Sequence, residues 1–307
     1  MKILVTPASF KPTTIGPAMD KLRSFADILV FNPQNRPLCE DELIPLLEDC
    51  EGCIAGLDPF TKRVFEYAEK LKVVSRYGTG VDNVDIEAAK ERGITVCRTP
   101  GVNSQAVAEL VFGLLLSLVR KLPHLDRSTR EGKWDRSVGT ELHKKTLGIL
   151  GLGAVGKTVA QIAGGFSMKV LACDPVMDNE YAKAHGITPV NLDRLARESD
   201  FLSLHLPLKM DTRHILSGTV MRTMKKGAII VNTARGGLID EEAACVLLKS
   251  GHLGGLALDV YEEEPPHSTP LFVLDNVIVT PHTAARTAEA TAAMAEQSVQ
   301  NLIDAFA

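Results

Sequence analysis

No run of four or more Lys or Arg residues occurs in the 307-residue chain, and 34 basic against 38 acidic residues leave a net charge of −4. Nucleic-acid binding as a main task is disfavoured, since it leaves a basic patch or stripe in a sequence. Long apolar runs are missing as well. The most apolar window, 106–119, is interrupted by Glu109, Gly113 and Ser117 and falls short of the ~18 to 20 residues of a membrane span. The opening run 1–6 ends at Pro7 without a signal-type apolar core or cleavage site, so a cytoplasmic chain is expected. Cysteine is sparse. Cys39, Cys50, Cys53, Cys97, Cys173 and Cys245 are scattered, and Cys50-x-x-Cys53 has neither a second pair nor a nearby His, so neither disulfides nor a metal site are expected.

What is present is ordinary globular composition, with 45% hydrophobic and 23% charged residues, 24 Gly and 16 Pro. Disorder and fibrous classes are therefore unsupported. At roughly 150 residues per domain the length predicts two domains. Short β-branched runs alternate with stretches of helical period, which predicts an α/β fold with two Rossmann-like, doubly wound parallel sheets. Strands are expected over 2–6, 27–31, 53–57, 73–76 and 94–97, then over 146–150, 169–173, 201–205, 228–232, 256–260 and 277–280. One long apolar helix is expected over 102–122, with Val107, Leu110, Val111, Leu114, Leu115 and Leu118 on its main face and a subunit contact on another. The polar stretch 126–145 reads as a connection, and 284–307 as an amphipathic helix.

Gly151-Leu152-Gly153-Ala154-Val155-Gly156 follows the expected strand 146–150 and opens a helix near Val155. In a dinucleotide fold the first glycine makes the tight turn, the second lets backbone approach a pyrophosphate, and the third lets helix pack on strand. Asp174 ends the next strand, where a carboxylate accepts from ribose hydroxyls and repels a 2′-phosphate. Pro175 follows, with no Arg or Lys close behind, so NAD is expected over NADP. A Gly-rich αβ turn and an Asp-Pro turn without ligands are the plain alternatives.

Three expected strand ends carry further chemistry. Thr233-Ala234-Arg235-Gly236 follows one, Tyr261-Glu262-Glu263-Glu264 the second, and Pro281-His282 the third. Oxidising an alcohol beside a carboxylate requires a base, a cation and a hydride acceptor. His282 as base, Arg235 as a cation able to form two parallel hydrogen bonds, and Glu264 as the carboxylate that orients the imidazole fit those roles.

These motifs, with Val81-Asp82-Asn83-Val84-Asp85 and Thr280-Pro281-His282-Thr283-Ala284, resemble the D-isomer-specific 2-hydroxyacid dehydrogenases. The resemblance implies that Arg235, Glu264 and His282 are the catalytic Arg, Glu and His. It places Asp259 in the cleft near the nicotinamide, and His205, Pro207, Thr212, Thr233 and Ala234 along the cofactor, so that His205 is not the base. It also implies a discontinuous substrate domain, 1–99 completed by 284–307, hinged to an NAD-binding domain, 100–283, and a homodimer through the latter. Of the other histidines, His124, His143 and His267 have no motif and read as surface residues.

Arg76-Tyr77-Gly78-Thr79-Gly80-Val81-Asp82-Asn83 looks like the carboxylate loop of the 3-phosphoglycerate dehydrogenase branch, which would place the chain in serine biosynthesis. Its glycines leave N–H groups free as an anion nest. Arg76 is expected at a distal phosphate; the loop residue Lys11 either approaches the same end of the cleft or is simply solvated. Arg98 departs from the Asn common in the family, and no added regulatory domain follows, so allostery through one is not expected. Reduction of glyoxylate, hydroxypyruvate or another anionic 2-oxo acid stays open. A binding protein of another class, an NAD(H)-sensing corepressor, shares the fold and the three residues. Formate dehydrogenase is disfavoured because a Gln stands there in place of Glu264.

Overall fold

Alternating helical and extended stretches resolve into two wholly parallel sheets. The computed structural model of the chain describes residues 1–10, 12–34 and 36–307, without the side chains of 12–14. Lys11 lies outside the described residues. Residues 1–103 with 285–307 form one unit, and 104–284 a second.

In the first unit, β1 (Lys2–Val5), β2 (Ile28–Phe31), β3 (Gly52–Ala55), β4 (Val73–Arg76) and β5 (Thr95–Cys97) lie in the order β2-β1-β3-β4-β5. Helices α1 (Pro12–Phe25), α2 (Glu40–Leu47), α3 (Lys62–Tyr67) and α4 (Ile86–Glu91) connect them. Side chains alternate between faces, so Ile3, Val5, Ile54 and Val73 join one core while Leu4, Cys53, Ala55 and Val74 join the other. The C-terminal helix, Ala288–Phe306, returns to cover the first of these through Met294, Val299 and Leu302. It starts later than the 284 expected because Thr287 caps it, accepting from the Ala290 N–H at 3.1 Å.

The second unit opens with α5 (Ser104–Val119) and α6 (Leu122–Arg130). A single helix to 122 was expected here and a connection from 126. Instead Lys121 takes a left-handed conformation with φ 54°, and Pro123, in the first turn after it, starts a new helix. The sheet then collects β6 (Thr146–Leu150), β7 (Lys169–Cys173), β8 (Thr188–Pro189), β9 (Phe201–Leu204), β10 (Ala228–Asn232), β11 (Leu253–Leu258) and β12 (Val277–Val279). Between them run α7 (Ala154–Gly165), α8 (Asn179–Ala184), α9 (Leu192–Glu198), α10 (Gly218–Thr223) and α11 (Glu241–Lys249). Both faces are covered. Leu150, Leu204, Ile230 and Leu256 face one core; Leu147, Ile149, Val231 and Ala257 face the other, under α5 and α7.

Two strands differ most from the sequence reading. β8, a two-residue edge strand ending in Pro189, was not expected, since a proline is tolerated only at such an edge. β11 begins at Leu253 and stops at Leu258, so Asp259 is the first residue beyond it. Its start was hidden by Gly254 and Gly255, yet a Cβ on Gly254 would sit 2.3 Å from the Gly227 carbonyl oxygen.

The strand order β12-β11-β10-β9-β6-β7-β8 reverses between β6 and β9. In open α/β sheets the crevice beyond the carboxyl ends at such a reversal is where ligands sit.

Candidate functional site

At that reversal the turn after β6 meets the end of β9. Gly151 has φ 103°, and a Cβ there would lie 2.7 Å from the His205 carbonyl carbon; the His205 N–H in turn donates to the Leu150 carbonyl at 2.7 Å. Only glycine fits both the backbone angle and the contact. Gly156 is required for a different reason, since its Cβ would stand 2.1 Å from the Gly151 oxygen, where α7 crosses the turn.

Gly153 is unlike either. It is the N-cap of α7 with φ −74° and no capping side chain, and a Cβ there would meet nothing within 4 Å. Neither backbone angle nor protein packing calls for glycine at this position. Open space above an uncapped helix N-terminus, where Ala154 and Val155 begin the first turn, fits an anionic group such as a pyrophosphate. Asp174 stands beside the turn: its Oδ2 accepts from the Leu152 N–H at 2.7 Å and its Oδ1 from the Val176 N–H at 2.8 Å. The residues present therefore fit a dinucleotide.

The segment after β9 supplies the neighbouring wall. His205 Nε2 lies 2.8 Å from Ser203 Oγ, and burial pushes the imidazole down to about 3, so it stays neutral at neutral pH and is unsuited to exchanging protons there. Pro207 is exposed. Thr212 Oγ1 donates to the Pro207 carbonyl at 2.8 Å and accepts from the Lys209 N–H at 2.7 Å, clipping the loop shut.

On the other side of the reversal, Asn232 shapes the turn beyond β10. Its Oδ1 accepts from the Ala234 N–H at 3.0 Å and its Nδ2 donates to the Arg235 carbonyl at 2.7 Å. Thr233 is buried, and its hydroxyl has no hydrogen-bond partner among the described residues, the kind of orphan a ligand satisfies. Arg235 Nη1 donates to the Ala234 carbonyl at 2.6 Å.

His282 and Glu264 come together. Nδ1 of His282 lies 2.6 Å from Glu264 Oε2, while Glu264 Oε1 accepts from the Tyr261 N–H at 3.1 Å. Burial pushes the Glu264 carboxyl up, but the His282 hydrogen bond and charge, the Tyr261 N–H and the Arg235 charge outweigh it and hold it below the ordinary carboxylate value. The ionised carboxylate fixes the tautomer with the proton on Nδ1, leaving Nε2 for exchange. His282 itself has φ 51°, an uncommon backbone for a residue with a Cβ.

Asp259 explains how that backbone is held. It is fully buried. Its Oδ1 accepts from the Thr280 hydroxyl at 2.6 Å and the Thr283 N–H at 2.8 Å, and its Oδ2 from the Ala284 N–H at 2.8 Å. Its main chain links the Asn232 carbonyl (3.0 Å) to the His282 N–H (2.9 Å). With its carboxylate so engaged, Asp259 is the knot under His282. Tyr261 adds a second tie through its hydroxyl, which donates to the Thr280 carbonyl at 2.8 Å; burial pushes that phenol up to about 12.

In the first unit, the expected anion loop follows β4. Gly78 has φ 150°, and Thr79 Oγ1 donates to the Thr99 carbonyl at 3.1 Å. Among the described residues no backbone or side-chain acceptor takes the N–H groups of Thr79, Gly80 and Val81. Tyr77 points inward, its hydroxyl donating to the Thr291 carbonyl at 3.0 Å. Arg76 ends β4. It is 6% exposed, and its guanidinium donates to the Tyr77 carbonyl at 2.5 Å, with longer bonds to Ala55 and Asn83. It lies against Gly78, whose Cβ would come within 2.9 Å of Nη1. Arg76 thus braces the loop from within.

Tyr261 and Thr280 entered the sequence reading only as parts of motifs, and Asn232 only as the end of the expected strand 228–232; their positions beside Arg235, Glu264 and His282 were the available signal. Among the described residues no group of three or more His, Cys, Asp or Glu could hold a metal, and no helix is long and apolar enough to cross a membrane.

Known proteins match this chain in sequence and in fold. The family model for the NAD binding domain of D-isomer specific 2-hydroxyacid dehydrogenases matches residues 112–284. A D-3-phosphoglycerate dehydrogenase of Methanocaldococcus jannaschii is 46% identical over 82% of this chain and 49% of its own length. A glyoxylate reductase of Korarchaeum cryptofilum is 40% identical over 87% of this chain and 83% of its own. The crystal structure of a D-lactate dehydrogenase from Aquifex aeolicus, complexed with NAD and lactic acid, superposes with a TM-score of 0.85 at 29% identity, covering 99% of this chain and 95% of that one. The chain spans about half the length of the phosphoglycerate dehydrogenases it matches.

Proposed function

Because the chain belongs to the D-isomer specific 2-hydroxyacid dehydrogenase family, we propose that it is an NAD-dependent oxidoreductase interconverting a D-2-hydroxy acid and its 2-oxo acid. The observation that carries the reading is the His282–Glu264 pair at 2.6 Å, with the Arg235 charge acting on it, in the unit that holds the Gly151–Gly156 turn. When bound, NAD supplies the hydride acceptor. Gly151, Gly153, Ala154, Val155 and Gly156 would hold its pyrophosphate through backbone. Asp174 would take the ribose, Pro207, Thr233 and Ala234 would line it, and Thr233 would gain a partner for its buried hydroxyl.

The protein's own groups then manage the proton and the charge. His282 Nε2 takes the hydroxyl proton in oxidation and returns it in reduction, while Glu264 keeps the ring oriented and stabilises its charged form. Arg235 pairs with the substrate's oxygens through a guanidinium that stays charged throughout.

The cofactor assignment has a direct check. Asp174→Asn keeps an acceptor for one backbone N–H but removes the charge that repels a 2′-phosphate. The NAD over NADP preference in kcat/KM is expected to narrow about tenfold, ~1.4 kcal/mol of like-charge repulsion. An unchanged preference would place the ribose away from Asp174.

For the substrate, D-3-phosphoglycerate is the first proposal, supported by the 46% identical phosphoglycerate dehydrogenase. Glyoxylate or hydroxypyruvate is the second, favoured by the relative matched over 83% of its own length. The experiment is NADH oxidation with phosphohydroxypyruvate, hydroxypyruvate, glyoxylate and pyruvate, in wild type and Arg76→Ala. A buried guanidinium that braces a loop predicts that the substitution lowers kcat/KM for every 2-oxo acid by about 5- to 100-fold, the cost of orphaning its buried partners. A loss confined to phosphohydroxypyruvate would return Arg76 to the distal phosphate. No turnover with any 2-oxo acid would sink the dehydrogenase reading in favour of a dinucleotide-sensing one.

A further inference from the structure

Glu262 sits two residues before Glu264 and is held from three directions. Its N–H donates to Glu241 Oε1 at 3.2 Å, its Oε1 accepts from His214 Nε2 at 2.8 Å, and its Oε2 from Arg213 Nη2 at 3.4 Å. His214 is itself unusual, with φ 51°. Its N–H donates to the Gly237 carbonyl at 2.8 Å, two residues beyond Arg235, and the chain entering it is the loop that Thr212 clips shut. Gly236 packs directly against the far side of the same joint, since a Cβ there would fall 1.8 Å from the Tyr261 carbonyl carbon. A single residue therefore joins the segment after β9, the Arg235 turn and the Glu264 loop, all within the second unit.

Half-exposed ion pairs often contribute little to stability. This one differs from an ordinary surface pair because His214 adopts an unfavourable backbone in order to bond both loops at once. We propose that the His214–Glu262 pair is a positioning device that ties the Glu264 loop to the Arg235 turn and so sets Glu264 against His282. The inference rests on the dehydrogenase reading above, in which neither His214 nor Glu262 touches reacting atoms.

The test compares wild type with His214→Ala, Glu262→Ala, Glu262→Gln and the double Ala variant. Two readouts are taken: steady-state NADH oxidation with the best 2-oxo acid, and the ¹⁵N NMR signals of the His282 imidazole, assigned by their loss in His282→Ala. Each single Ala variant is expected to lower kcat about 5- to 20-fold with KM within about twofold, and the double no further, as coupled partners behave. Glu262→Gln, whose amide oxygen still accepts from Nε2, should recover at least about half of the lost rate. The His282 signals should move in the Ala variants and return in the Gln variant. Rates within about twofold of wild type throughout, or losses that multiply in the double variant as independent sites do, would overturn the proposal. So would a Gln variant no better than Ala. If His214→Ala fails to fold, the half-exposed Glu262 variants carry the test. If no variant and no wild type oxidises NADH, the function reading fails and the NMR alone decides: moved and restored signals uphold the link, unmoved ones end it.

Discussion

His282→Ala is expected to lower kcat by a factor of about 10² to 10⁴, the usual worth of a positioned acid–base group, while the NADH dissociation constant stays close to that of wild type. The split follows from the geometry. The ring sits at the end of a turn knotted by Asp259 and reaches Glu264, and none of the backbone groups around Gly151–Gly156 depends on it. Steady-state rates and NADH fluorescence titration give the two numbers; a kcat within tenfold of wild type would remove His282 from proton transfer. The pair also carries a pH signature with a definite sign. Because the folded Glu264 carboxyl titrates below its ordinary value, its contribution to stability is fully present above the unfolded carboxyl range, near ~4.3, and fades as pH falls through the lower folded value. Acid unfolding of Glu264→Gln should lack that share of the pH dependence.

How much of this was legible in the residues depended on whether each feature was local. The Gly151–Gly156 turn follows its strand and opens its helix within a few positions, so the sequence reading places strand, turn and helix where the structure has them. Arg235, Glu264 and His282 were legible as strand-end residues because β10, β11 and β12 end close before them. Asp259 shows the limit. A carboxylate that is fully buried and saturated by Thr280, Thr283 and Ala284 is the same letter as one facing a ligand. Only the fold shows these partners, by bringing N–H groups some two dozen residues away onto its oxygens. The internal bonds of Arg76 were hidden for the same reason, its acceptors on Ala55 and Asn83 being set by the neighbouring strand and the far side of the loop. The break at Lys121 was hidden because apolar period continues across it to Leu122. His214 and Glu262 stand 48 positions apart, and no spacing rule joins them.

The three glycines of the turn make the sharpest contrast between folding and binding. Gly151→Ala and Gly156→Ala both push a Cβ into protein backbone, at 2.7 Å and 2.1 Å, and Gly151 adds the strain of φ 103°; both variants should lose stability and cofactor together. Gly153→Ala should behave differently. Its backbone angle suits any residue and its Cβ meets nothing within 4 Å, so the folded protein should lose no more than about 1 kcal/mol, the cost of alanine at an N-cap. The added methyl occupies the space assigned to the pyrophosphate. Overpacking there by about 1–3 kcal/mol weakens NADH binding some 5- to 150-fold, with the melting temperature of the free protein nearly unchanged. Calorimetric titration with NADH and thermal melts without it separate the two effects. Intact NADH affinity in Gly153→Ala would mean that the open space above α7 serves no ligand phosphate. Lost affinity with an unmoved melt would show that glycine is kept at this position for the cofactor alone, while Gly151 and Gly156 are kept for the chain.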